Sequence, residues 1–151
     1  MTTKSYFELY NEFADACDIP QGSLIGRANL QAIALAERLV NEEVGETSIA
    51  LYHYTANPSL ENLAGVADGI GDSIYVLCQL ARSLGIPLDP VFGYIHTSNM
   101  LKVGPDGKVV RREDGKILKP EGWRPPDIWG VLNTHHEIEA RKQNALGAEH
   151  W

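Results

Sequence analysis

Two long helix-forming stretches separated by a three-residue break constrain this chain more than any other feature. The stretch from about Arg27 to Tyr54 is rich in Ala, Leu and Glu, and Leu30, Ile33, Leu35, Leu39, Val40 and Val44 give it an apolar side. Asn57-Pro58-Ser59 interrupts the pattern, because proline disfavours helical backbone in the residue before it, and Ser59 can cap a new helix. A second long helix is then expected from about Leu60 to Leu84, closed by Gly85 with Pro87 beyond it. A connector this short folds the two helices back antiparallel. Ile74, Tyr75, Val76, Leu77, Leu80 and Leu84 make the second half of the later helix apolar on more than one face, which suits a bundle centre or a subunit contact.

Shorter elements complete the pattern. From about Ser5 to Ala16, the residues Tyr6, Phe7, Leu9, Tyr10 and Phe13 form an apolar stripe that stops before Ile19-Pro20. Asp89-Pro90 reads as an N-cap followed by proline at the first helical position, starting a helix that runs to about Val103 and ends at Gly104-Pro105. Pro105-Asp106-Gly107-Lys108 and Glu113-Asp114-Gly115-Lys116 are turn signals around Val109-Val110, with Ile117-Leu118 after the second, so a small β-hairpin is expected. Pro120, Gly122, Pro125 and Pro126 mark an extended segment carrying Trp123 and Trp129, and the polar run from His135 to Gln143 is compatible with a last helix. The fold class is therefore all-α. With 151 residues the chain has room for one domain, with a helical core over 5–103 and a hairpin and tail over 104–151.

Composition enters where function is at stake. The chain is 44% hydrophobic and 22% charged, an ordinary globular balance, and thirteen Lys plus Arg against twenty Asp plus Glu give a net charge of −7. That sign argues against an unaided grip on nucleic acid. A phosphate-bearing ligand stays open if a divalent cation lies between it and grouped carboxylates. Cys17 and Cys78 are too few for a disulfide framework or a structural zinc site and read as reduced thiols. No apolar signal core opens the chain and no stretch approaches the ~18 apolar residues of a membrane span, so a cytoplasmic protein without membrane association is expected.

The acidic residues are grouped at two helical addresses. Glu42, Glu43 and Glu46 fall within one turn, with Glu43 and Glu46 about 60° apart around the axis, so their carboxylates can meet. Asp68-Gly69-Ile70-Gly71-Asp72 puts two aspartates at i and i+4 with two glycines between them, each glycine weakening a helix by about 0.5–1 kcal/mol relative to alanine. A local cost without a local benefit marks a candidate site. If the two helices pack antiparallel, carboxylates from both converge, and oxygen donors without His or Cys suit Mg²⁺ or Mn²⁺. The alternative is a solvated acidic face. Asn99 and Lys102, at i and i+3, bring an amide and an ammonium within reach of a phosphate, although a lysine there also simply favours the helix dipole. His96 and the pair His135-His136 read as structural or surface histidines, and Tyr6, Tyr10, Phe13, Tyr75 and Tyr94 as packing residues.

The pattern resembles the MazG-like all-α nucleoside triphosphate pyrophosphohydrolases, a superfamily that includes phosphoribosyl-ATP pyrophosphatase and the dimeric dUTPases. It rests on Glu42-Glu43-x-x-Glu46, Asp68-Gly69-x-x-Asp72, Leu84-Gly85-Ile86, Asp89-Pro90-Val91-Phe92, His96-x-Ser98-Asn99-Met100-x-Lys102, Pro105-Asp106-Gly107-Lys108 and Gly122-Trp123-x-Pro125-Pro126-Asp127, from about Ala28 to Ile128. The longer pattern is similar to phosphoribosyl-ATP-pyrophosphatase-like members found in bacteriophages, including the dGTP-directed MazZ type. The resemblance implies a four-helix MazG-like bundle assembling as a homodimer or homotetramer, in the host cytoplasm for a phage protein. It implies hydrolysis of a nucleoside triphosphate to the monophosphate with Mg²⁺ or Mn²⁺. Glu43, Glu46 and Asp72 would be metal ligands, Glu42 a ligand or proton acceptor, and Asn99 and Lys102 phosphate-binding residues. One position departs: many such chains carry Glu three residues before the final Asp, where this chain has Gly69, so Asp68 is the candidate fourth ligand.

Overall fold

The computed structural model describes residues 3–25 and 29–148, in which five α-helices and no strands make up the regular structure: α1 (Tyr6–Ala16), α2 (Leu30–Ala56), α3 (Leu60–Ser83), α4 (Leu88–Met100) and α5 (Ile128–Ala148). Chain contacts group into two compact units, Met1–Ile86 and Pro87–Trp151. Among the described residues no helix is long and apolar enough to cross a membrane.

In the first unit, α1 opens with a capping box. The Ser5 hydroxyl accepts from the Glu8 amide at 3.0 Å, and the Glu8 carboxylate accepts from the Ser5 amide at 2.6 Å. Phe7, Tyr10 and Ala14 follow at helical spacing and are buried, and this side of α1 packs on α3. Arg82, in the last turn of α3, reinforces that packing. Its buried guanidinium donates to Asn11 Oδ1 at 3.0 Å, to Asp15 Oδ1 at 2.7 Å and to the Ile19 carbonyl at 2.7 Å, tying α3 to α1 and to the loop after it.

Helices α2 and α3 form the long antiparallel pair that the short connector demands. Asn29 caps α2 by accepting from the Ala32 amide at 3.1 Å, and Ser59 caps α3 by accepting from the Asn62 amide at 3.1 Å. Arg27, where the sequence pattern starts the second helix, and Ala28 lie outside the described residues. The pairing register is set by Ala50 facing Gly65 and Thr47 facing Gly69 and Ser73. Gly85 then ends α3 with φ +66, and a Cβ on it would stand 2.7 Å from the Gly22 carbonyl oxygen, so both conformation and space require glycine. Val76, Cys78 and Ala81 are buried, yet Tyr75 and Leu77 on the same apolar stretch stay partly exposed, and Ala36 is the one buried residue of α2.

The second unit differs from the sequence expectation at four points. Asp89 does not cap α4: Pro87 occupies the cap position and Asp89 sits in the first turn. Pro90 is accommodated there because amides of a first helical turn have no intrahelical partner to lose. The helix also stops at Met100 rather than Val103, and Lys102 and Val103 follow in tight turns, with amides 3.1 and 3.0 Å from the Asn99 and Met100 carbonyls. The expected hairpin is reduced to one antiparallel bridge, Arg111 to Ile117, with the Leu118 amide donating to Val110 O at 2.8 Å. Two short strands with no sheet to join hold little structure. Conversely, α5 begins about two turns before His135. Asp127 caps it, accepting from the Gly130 amide at 2.9 Å.

Candidate active site

The candidate site is built on the α2–α3 seam. Glu42, Glu43 and Glu46 come from α2, and Asp68 and Asp72 from α3. Thr47 follows Glu46, and Ser73 follows Asp72; their hydroxyls lie 3.0 Å apart across the seam, while Thr47 Oγ1 also donates to the Glu43 carbonyl at 2.7 Å. These contacts fix the register that brings the two acidic addresses side by side. Of the five acids, Glu43 alone is half-buried; Glu42, Glu46, Asp68 and Asp72 are exposed.

Electrostatics reports the convergence. Burial, and then Glu46, Asp72, Glu42 and Asp68 in decreasing order, push the Glu43 carboxyl above its ordinary value of 4.5. Glu43 thus feels all four of the other acids. Among the described residues, none of the five has a cationic side chain at ion-pairing distance. Like charges without counter-ions splay apart, and among the described residues no group of three or more His, Cys, Asp or Glu side chains is set to hold a metal ion as it stands. The donor chemistry nevertheless fits a hard divalent cation: carboxylate oxygens only, from two helices held in register, with excess negative charge that no ion pair among the described residues offsets.

The departure at Gly69 has a structural reason. A Cβ built there would stand 2.7 Å from Thr47 Oγ1 and 3.0 Å from Thr47 Cα, so any side chain at this position collides with α2. Gly71, by contrast, faces open space. Asp68, one residue earlier, is exposed and adds to the field that raises the Glu43 carboxyl.

In the second unit, Asn99 lies in the last turn of α4 and Lys102 just past its end, and Lys102 Nζ donates to Asn99 Oδ1 at 2.7 Å. The pair expected from the spacing is therefore formed, although the residues do not share one continuous helix. The remaining residues singled out in the sequence have structural settings. His135 lies 3.4 Å from Glu139 on α5, His96 is exposed, and Tyr75 packs edge-to-face on Tyr10 and Phe13 with centroids 5.1 and 5.7 Å apart. Cys17 is exposed and Cys78 buried, and neither forms a disulfide. Thr47 and Ser73 were not singled out by the sequence, where nothing distinguishes them beyond standing next to an acid.

Two comparisons bear on this arrangement. A family model described as phosphoribosyl-ATP pyrophosphohydrolase matches residues 8–99, more than half of the chain, covering all five acids and Asn99. No curated protein matches the chain.

Proposed function

The chain belongs to the phosphoribosyl-ATP pyrophosphohydrolase family, and from that premise we propose that it is a metal-dependent (d)NTP pyrophosphohydrolase, with dGTP as the first candidate substrate. The family makes pyrophosphate-bond hydrolysis of a nucleotide the class of activity. The observation that carries the reading is the α2–α3 pairing, which sets Glu42, Glu43 and Glu46 beside Asp68 and Asp72 with no ion-pairing cation among the described residues. A cluster of this kind, held in register by Thr47 and Ser73, has the donor set for Mg²⁺ or Mn²⁺.

In this reading Glu43, Glu46, Asp72 and Asp68 would hold the ion. The ion, when bound, supplies charge stabilisation to the phosphates and lowers the cost of deprotonating water. The chain's own groups do the rest. Glu42 accepts the proton from the attacking water, since it is exposed and adjoins the ligands without being needed among them. The Asn99 amide and the Lys102 ammonium donate to phosphate oxygens, and charge-assisted bonds of this kind orient the triphosphate and stabilise charge building on the leaving group. The net change is NTP plus water to NMP plus pyrophosphate; stepwise loss of phosphates is the variant of the same chemistry.

Assembly as a homodimer or homotetramer belongs to the proposal. A 27-residue helix with one buried residue is a poor monomer element, and Leu30, Ile49, Leu51 and Tyr52 on α2, with Leu63 and Ile70 on α3, are at least 43% exposed. The description of the matching family favours phosphoribosyl-ATP as the second substrate to consider. Chromatography of the products from a panel of dNTPs, NTPs and phosphoribosyl-ATP, with Mg²⁺ or Mn²⁺, tests the reading. dGMP with pyrophosphate from dGTP supports it; phosphoribosyl-AMP as the preferred product moves the substrate; no monophosphate from any member leaves a helical interaction protein with a solvated acidic face.

A further inference from the structure

Beyond the matched residues, the Pro-rich segment after the bridge is pinned to the end of α4. Trp123 Nε1 donates to the Ser98 carbonyl at 2.9 Å, and the buried Ser98 hydroxyl donates back to the Arg124 carbonyl at 3.1 Å. The Trp123 amide closes a turn onto Pro120 O at 3.1 Å. One buried serine thus fixes the indole in place. Two ammonium groups converge on that ring: Lys119 Nζ stands 3.9 Å from its centroid and Lys102 Nζ stands 5.9 Å away.

An indole face attracts a cation within about 6 Å of its centroid. With two ammonium groups within about 6 Å of one ring centroid, the attraction of the ring for each is set against their mutual repulsion. Among the described residues neither lysine has a carboxylate at ion-pairing distance, in a chain whose net charge is −7. Lys102 also spends one donor on Asn99, leaving the exposed Lys119 as the ammonium with the most donors unengaged. We propose that Lys119 and Lys102, held by Trp123 and backed by Asn99, form a two-ammonium grip for a polyphosphate chain, with Trp123 as the positioning residue. The grip rests on the pyrophosphohydrolase reading for the identity of its ligand, but Lys119 and Trp123 lie outside the matched residues 8–99.

The test is calorimetric titration of the full chain with inorganic tripolyphosphate in divalent-free buffer, which takes the base and any cation-bridged binding at the acidic cluster out of the measurement. Lys119→Gln is expected to weaken binding about tenfold, as loss of one charge-assisted contact does. Lys119→Arg retains it, Trp123→Ala weakens it, and Trp123→Phe, which keeps an aromatic face, restores it. Lys116→Gln, which removes a turn lysine outside the cluster, sets the background from net charge alone. Wild-type protein that binds no tripolyphosphate overturns the grip, as does Lys119→Gln binding like wild type or Lys116→Gln losing as much. If no triphosphate is hydrolysed while Lys119→Gln still loses tripolyphosphate, the hydrolase reading falls and the grip stands. If hydrolysis proceeds while Lys119→Gln changes neither tripolyphosphate affinity nor KM, the grip falls and the hydrolase stands.

Discussion

Gly69 and Gly71 sit two residues apart in α3, yet alanine is expected to move stability in opposite directions at the two sites. In a helix interior, glycine to alanine stabilises by about 0.8–1.0 kcal/mol where the methyl group meets nothing. Gly71 meets that condition, with no atom within 4 Å of where its Cβ would stand. At Gly69 the methyl would stand 2.7 Å from Thr47 Oγ1, 3.0 Å from Thr47 Cα and 3.2 Å from Thr47 Cβ. The contact with Cα is backbone, so rotation of the threonine does not relieve it. Overpacking of this kind costs about 1–3 kcal/mol. Displacing the Thr47 hydroxyl from Ser73 adds about 1 kcal/mol. After the propensity gain, Gly69→Ala is destabilised by about 1–3 kcal/mol and Gly71→Ala stabilised by about 1 kcal/mol. With a urea slope of about 1–3 kcal/mol/M, the two midpoints separate by about 0.7–4 M at matched protein concentration. If Gly69→Ala raises the midpoint as Gly71→Ala does, the close seam at Thr47, and with it the register of the acidic cluster, is wrong.

Arg82→Ala removes a buried guanidinium with three hydrogen bonds and is expected to cost about 3–5 kcal/mol, whereas Asp15→Asn, at an exposed carboxylate, costs under about 1 kcal/mol; thermal melts compare them. Because the Glu43 carboxyl is raised in the folded chain, its stability contribution is fully present below pH 4.5 and lost as pH climbs through the raised value. In chelator-treated protein, Glu43→Gln should therefore melt above wild type at neutral pH, with the gap closing toward pH 4.5; a gap that ignores pH refutes the cluster. Mg²⁺ or Mn²⁺ should raise the melting temperature of wild type and do so less for Glu43→Gln, by mass action on the folded state. Equal shifts in the two proteins would place the ion elsewhere.

Local periodicity accounts for the part of the fold that was legible in the sequence. Two strongly periodic stretches and a Pro-Ser break specify α2, α3 and their antiparallel return, and helical spacing puts Glu42, Glu43 and Glu46 within about one turn of α2, Asp68 and Asp72 within about one turn of α3, and Asn99 beside Lys102. The features that stayed hidden depend on contacts distant in sequence. Gly69 reads locally as a helix weakness and as a missing acid; only its approach to Thr47 explains it. Arg82 reads as a cation suited to a helix end, while its partners Asn11, Asp15 and Ile19 lie more than 60 positions away. The start of α5 was obscured by Pro125-Pro126, although Asp127 ahead of Ile128 was the capping signal available. Lys119 looks like one more tail lysine in the sequence, and only the anchoring of Trp123 on Ser98 beneath it gives it a place.

The central claim is that carboxylates on the α2–α3 seam carry metal-dependent hydrolysis, and Glu46→Gln tests it most directly. This exposed substitution keeps the volume and the helix propensity of the side chain and removes only its charge. Release of dGMP from dGTP in Mg²⁺ or Mn²⁺ is compared for wild type and Glu46→Gln, with far-ultraviolet circular dichroism on the same samples. The expected result is release by wild type, loss by roughly two orders of magnitude or more in the variant as for removal of a group acting in the transition state, and unchanged helix signal. Equal release by both proteins, with or without the cation, contradicts the claim.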